Sequence, residues 1–356
     1  MNDVDRAEAA PRRIEGPQAW YGPQMAARSD WIHALAPADV DEIDRAVSHA
    51  IARGAGLVDL TADDFPLPTL GARIRAVRDD VLHGRGFALV RALPVERWPL
   101  ERSAFAFRGL GAHFGEAVSQ NGKGHVLGHV TNLGLDYADP TTRGYQTASE
   151  LRFHTDGGDV VALLCLRPSR SGGKSRIASS TTVWNEIATR RPDLARELGR
   201  EFCFSRWGEI PAGQARYAKY PLFAECEGRM IASFVMSSIE KAQAFPEVPR
   251  LTDAQREALA MVNDLAGDDA LRLDMDFRPG DLQFVSNHSI LHSRTAYEDW
   301  PEIERRRHLL RLWLACPSGP TLPPHSTTAF QGATASGRPN GIVVPGVSRK
   351  ASLIAD

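Results

Sequence analysis

Cysteine is scarce and scattered: the four thiols in 356 residues, Cys165, Cys203, Cys226 and Cys316, contain no CxxC pair. That excludes a zinc ribbon, a thioredoxin-type redox motif and a dense disulfide framework, and it reads as reduced thiols in a cytoplasmic protein. No apolar run reaches the length of a signal-peptide core or a membrane span, so no membrane association is expected. An excess of positive charge is lacking too. Lys plus Arg number 42 against 44 Asp plus Glu, a net charge of -2, which leaves no global field to drive binding to a phosphate backbone. Nucleic acid is therefore not the expected partner. The chain also shows no internal repeat and no linker that divides it.

What is present is ordinary globular material, 43% hydrophobic and 24% charged. The polar stretch to Gln18 reads as a flexible N-terminal tail (1–18), and the Ser/Thr/Gly/Pro-rich stretch from Pro323 as a C-terminal extension (323–356). Between them, 19–322 reads as one domain. Val40, Ile43, Val47, Ala50 and Ile51 recur at helical spacing, as do Leu70, Ile74, Val77 and Val81 before Gly84. Phe87–Val90, the apolar run from Asp159 to Leu166, LQFVSN from Leu282 and HLLRLWL from His308 read as strands. Thr181 or Thr182 is placed to cap a helix opening VWNEIATR, and Thr252 with Gln255 forms a capping box for another. The pattern is α+β with a central β-structure.

Chemistry concentrates in three places. In His154-Thr155-Asp156, residues i and i+2 of a strand would face the same way and offer one metal an imidazole nitrogen and a carboxylate oxygen. Alone this pattern is weak, since a H-x-D match arises by chance about half a time in such a chain. A distant third ligand follows a Pro-Gly-Asp turn and a strand, where His288 and His292 compete for the role. Two His and one Asp would leave open positions on Fe(II) for a chelating 2-oxo acid and dioxygen, whereas zinc more often takes further nitrogen or sulfur. Third, Arg307 and Arg311 lie four apart, so on a strand both guanidiniums would point one way and suit a dicarboxylate. A basic surface strand, with Arg305 and Arg306 adjoining, is the plainer alternative.

Order and spacing of five segments add a resemblance. GRGFALVRALP (84–94), GYQTASELRFHTDGGDVVALLCLRP (144–168), SGGKSRIASS (171–180), PGDLQFVSNHSILHSR (279–294) and RRHLLRLWL (306–314) are similar to the taurine dioxygenase and clavaminate synthase-like (TauD/TfdA) family of Fe(II)/2-oxoglutarate-dependent oxygenases. The resemblance spans roughly residues 20 to 320 and implies a double-stranded β-helix (jelly-roll) core with flanking helices. It implies His154, Asp156 and His292 as iron ligands, with His288 at a position that is commonly Arg. It implies Ser175, Arg307 and Arg311 as co-substrate contacts, and Gln146, Thr147 and Arg311 on the substrate side. Asp156, where a halogenase would carry Gly or Ala, favours hydroxylation, with Fe(II), 2-oxoglutarate and O2 consumed to give succinate and CO2. The expected partner is a small-molecule substrate, with Arg206 or Arg311 able to hold an acidic group on it. His125, His129, Trp184 and Trp313 are expected to be structural. Two other readings stand beside this one. They are a cupin-like jelly-roll that binds a small anion without turnover, and a nucleic-acid dealkylase, which the neutral composition disfavours.

Overall fold

The computed structural model describes residues 11–135, 143–211, 213–328 and 332–355. Its larger sheet runs Ile32–Ala34, Phe87–Arg91, Leu282–Ser286, Val160–Arg167, His308–Ala315, His125–Thr131 and Lys350–Ala351, with Glu116–Val118 also paired to His308–Ala315. The smaller sheet has the order Arg272–Met275, Ser175–Ser179, Ile290–Arg294, Leu151–His154.

The central strands are apolar on both faces because both faces are covered. Ala88 and Val90 turn to one side, where they pack with Ile43 and Val47 of the helix Pro37–Ala52 and with Ile74 and Val77 of the helix Gly71–His83. Phe87 and Leu89 turn to the other, where with Val161, Val285 and Trp313 they meet Ile177, Leu273, Met275 and Ile290 of the smaller sheet. The two sheets thus share a core. A third cluster covers the smaller sheet through the helices Ser180–Arg190, Pro192–Leu198 and Asp253–Gly267, using Val183, Ile187, Leu194 and Val262. The architecture is α+β, as the residue pattern predicts.

Local signals resolve in detail. Thr252 and Gln255 make the expected capping box. The cap of the preceding helix is corrected: the Ser179 hydroxyl, not Thr181 or Thr182, accepts the Thr182 N–H at 3.0 Å. The free-tail reading fails for residues 11–18, since Ile14 is buried in the third cluster with its backbone N–H on Asn185 Oδ1 at 2.7 Å, and Gln18 is buried as well. Residues 1–10 lie outside the described residues. Beyond residue 331 the extension is built into the molecule, pairing its Lys350–Ala351 strand with His125–Leu127. Among the described residues no helix is long and apolar enough to cross a membrane.

Candidate active site

Register brings the first group together. The Leu151–His154 and Ile290–Arg294 strands pair so that His154 lies directly opposite His292, with ring centroids 4.2 Å apart. Of His154 and Asp156, only His154 is on a strand; Asp156 sits in the segment that follows, which corrects the expectation that both ride one strand face. That segment is fixed from a neighbouring one, because the Asp156 N–H donates to Asn287 Oδ1 at 3.0 Å and Asn287 Nδ2 donates to the Gly158 carbonyl at 2.9 Å. Gly157 allows close approach: a Cβ there would lie 2.9 Å from the Trp313 ring.

One ligand atom from each of His154, Asp156 and His292 falls within a 4.8 Å group. His154 Nδ1 donates to the Arg152 carbonyl at 2.8 Å, a bond that fixes the ring and leaves Nε2 for a ligand. Asp156 Oδ2 is buried with no hydrogen-bond partner among the described residues, 3.5 Å from His292 Nε2 and 3.9 Å from Arg311 Nη1. Burial works to raise the Asp156 carboxyl, but Arg311, then His292 and His154, outweigh it and hold it below the usual carboxylate range. Burial, then the neighbouring His292, pushes His154 down to about 4, so its imidazole is neutral at pH 7. Two imidazoles and one ionised carboxylate, whose Oδ2 has no hydrogen-bond partner among the described residues, form a donor set that fits Fe(II). His288 is placed elsewhere, bonded through Nε2 to Asp159 Oδ1 at 2.7 Å.

A buried cationic corner forms where Arg294 and Arg307 meet Tyr297. Arg307 is 4% exposed, which removes the surface-strand alternative, and its Nη1 is buried without a hydrogen-bond partner among the described residues. Its guanidinium lies 5.1 Å from the Tyr297 ring centroid, and Arg294 reaches the same ring at 4.7 Å. The Tyr297 hydroxyl is also buried, with no hydrogen-bond acceptor among the described residues. Ser175 is aligned with Arg294 across the smaller sheet, and its hydroxyl donates to Gln283 Oε1 at 3.2 Å. A buried arginine and a phenol without acceptors constitute a place prepared for an anion.

In front of the triad is a cavity of about 240 Å³ lined by His154, Asp156, Arg311 and Trp313 and by segments 143–145, 204–209 and 235–238. Arg311 stands between the Tyr145 and Trp313 rings, at 4.6 and 5.3 Å, and donates through Nε to Gln120 Oε1 at 2.7 Å. Trp313 is therefore both core residue and cavity wall, where only the first role was expected. At the rim, Arg143 pairs with Glu209 at 2.6 Å and lies over Trp207 at 4.5 Å, while Lys241 caps the same indole at 3.5 Å.

Gln146 and Thr147 do not line this cavity, which corrects their expected place. Gln146 Oε1 accepts the Arg143 N–H, closing a short 3-10 turn, and Thr147 is buried with its carbonyl on Arg294. The wall they were expected to form is made by Arg143, Gly144 and Tyr145. His125 and His129 are structural, bonded to Asn121 and to His308 respectively, and Trp184 packs in the core over Phe223. Residues that motif reading passed over include Arg294, Gln120 and Asn287. The first was visible in the LHSR segment, two positions past His292; the other two carry no local signal.

A model of the family described as "Taurine catabolism dioxygenase TauD, TfdA family" matches residues 52–313. FR-33289 synthase of Streptomyces rubellomurinus is 27% identical over 335 residues, covering 93% of this chain and 99% of that protein. The taurine hydroxylase-like protein SAT17 of Stachybotrys chartarum is 29% identical over 322 residues, covering 87% of this chain and 82% of its own. Among solved structures, asparagine oxygenase in complex with Fe(II), a 3-hydroxyasparagine and succinate superposes with a TM-score of 0.63 at 18% identity, over 80% of this chain and 93% of that one.

Proposed function

The chain belongs to the TauD/TfdA dioxygenase family, and from that premise we propose that His154, Asp156 and His292 hold the iron of a small-molecule hydroxylase. The protein is an Fe(II)- and 2-oxoglutarate-dependent dioxygenase. Its two facing sheets are read as a double-stranded β-helix, with the triad at one end of the smaller sheet.

Held by His154, Asp156 and His292, iron would supply chemistry in which O2 is consumed, one oxygen atom going to the succinate formed with CO2 from 2-oxoglutarate and the other to a substrate C–H bond. Everything else falls to side chains. Arg307, supported by Arg294 and the Tyr297 and Ser175 hydroxyls, pairs with the distal carboxylate of 2-oxoglutarate. Burial lowers the basicity of Arg307, but an arginine side chain stays charged at pH 7, and among the described residues no carboxylate forms an ion pair with it. Arg311, held by Gln120 and two aromatic rings, faces the cavity beside Asp156 and takes an anionic group of the substrate or the near carboxylate of 2-oxoglutarate. The aromatic wall of Tyr145, Phe204, Trp207, Tyr220 and Trp313 excludes water and accepts an apolar substrate body. A small molecule with an apolar part and an acidic head meets these demands.

The observation that carries this reading is the triad of converging ligand atoms, with Asp156 Oδ2 and His292 Nδ1 buried without a hydrogen-bond partner among the described residues. Metal-free protein reconstituted with Fe(II) is expected to convert 2-oxoglutarate to succinate, faster when a panel of acidic small molecules includes a substrate. Retention of zinc with no succinate formed under any condition would overturn it.

A further inference from the structure

The family match ends at residue 313, yet the structure ties residues 332–351 into the site. Asp159, three residues past Asp156, is fully buried and accepts four hydrogen bonds. Arg338 donates through Nε at 2.9 Å and Nη2 at 2.5 Å, the Cys316 N–H at 2.7 Å, and His288 Nε2 at 2.7 Å. Arg338 is itself buried, its remaining Nη1 bound to the Pro320 carbonyl at 2.8 Å. From Asp159 the order passes back to the triad: the Asp159 carbonyl accepts the Asn287 N–H at 2.9 Å, and Asn287 Oδ1 accepts the Asp156 N–H.

The same segment contributes one residue to the cavity wall. Ile342 lines the cavity, and its N–H donates to the Ser119 carbonyl at 2.8 Å, next to the Gln120 that holds Arg311. Gly341 permits this contact, since at φ +69° it sits where a Cβ would be 2.3 Å from the Ser119 carbonyl oxygen.

We propose that this C-terminal segment is a working part of the active site, with Arg338 a positioning residue for the Asp156 turn. The proposal rests on the reading of His154, Asp156 and His292 as the metal site. Burial explains why one residue carries the effect: without Arg338, the Asp159 carboxyl is left at a fully buried position with half its side-chain hydrogen bonds gone, and the turn relaxes to hydrate it. An Asp156 oxygen that wanders costs metal affinity, as the loss of outer-sphere partners generally does by about 10- to 100-fold.

The test compares full-length wild type, Arg338→Ala, Arg338→Lys and Ile74→Ala, the last destabilising a helix remote from the site. In the metal-free proteins, amide exchange of residues 156–159 and 287 is expected to rise about tenfold or more in Arg338→Ala, less in Arg338→Lys, and no more than globally in Ile74→Ala. Fe(II) titration is expected to follow the same order, with affinity about tenfold weaker in Arg338→Ala. Wild-type protection of the turn in Arg338→Ala, or loss no greater than in Ile74→Ala, overturns the proposal. Should Arg338→Ala not fold, Arg338→Lys decides by the same exchange comparison. If the wild type binds no Fe(II), the metal-site reading fails, while amide exchange still decides the role of Arg338.

Discussion

The metal end of the cavity and its rim are built on opposite principles. At the metal end, strand register sets geometry: His154 and His292 face each other across paired strands, and the Asp156 turn is pinned by Asn287. At the rim, loops from distant parts of the chain meet through one indole, Trp207, clasped by Arg143 and Lys241. A paired strand cannot shift by one residue without turning its whole set of side chains to the wrong face, so the metal end tolerates almost no change. Loops carry no such constraint, and it is there that substrate preference can vary without loss of the chemistry.

If the metal end is rigid and indispensable, its first break is complete. Asp156→Ala is expected to abolish succinate formation and Fe(II) binding while leaving the melting temperature equal to or above that of wild type, because it removes a buried carboxylate with an unsatisfied oxygen. A large fall in stability would show that the carboxylate serves the fold instead.

That contrast also explains what was legible in the sequence. The two histidines and Arg311 sit on strands, where period-2 alternation turns spacing into direction, and the structure brings them together with Asp156, whose turn is set by Asn287. The helix at Pro37–Ala52 and the capping box at Thr252 were readable for the same local reason. Gln146 and Thr147 were misplaced because a 3-10 turn follows Arg143 and turns them away from the cavity, presenting Gly144 and Tyr145 in their stead. Arg338 was out of reach, lying 179 residues from Asp159 in a stretch whose composition suggests only a tail.

Smaller effects sharpen the comparison. Arg307→Ala is expected to weaken 2-oxoglutarate about 10- to 100-fold, the value of a charge-assisted contact, with Fe(II) affinity unchanged in a direct titration. An unchanged KM for 2-oxoglutarate would remove Arg307 from the clamp. At the rim, Trp207→Ala is expected to raise the KM of the substrate by a few-fold, since exposed cation–π contacts contribute about 0.5–1 kcal/mol, and to leave 2-oxoglutarate untouched. Equal effects on both ligands would mean that the rim and the metal end are not separate.

A further effect concerns pH. His308 is half-buried against His129, and burial, then that neighbour, pushes it from 6.5 down to about 3. Between those values the unfolded chain binds a proton that the folded one does not, so stability conferred by neutral His308 is complete above pH 6.5 and lost as pH falls toward 3. His308→Gln is expected to flatten part of the acid limb in melting temperatures measured from pH 7 to 4. A limb of unchanged slope would assign the loss to other groups.

The most direct measurement is an anaerobic titration of metal-free protein with Fe(II) and then 2-oxoglutarate, followed by visible absorption and repeated with Arg307→Ala. The account predicts a weak charge-transfer band that appears only after 2-oxoglutarate is added and that, at the same concentrations, is lost in the variant. A wild type that shows no band and retains zinc instead would contradict it.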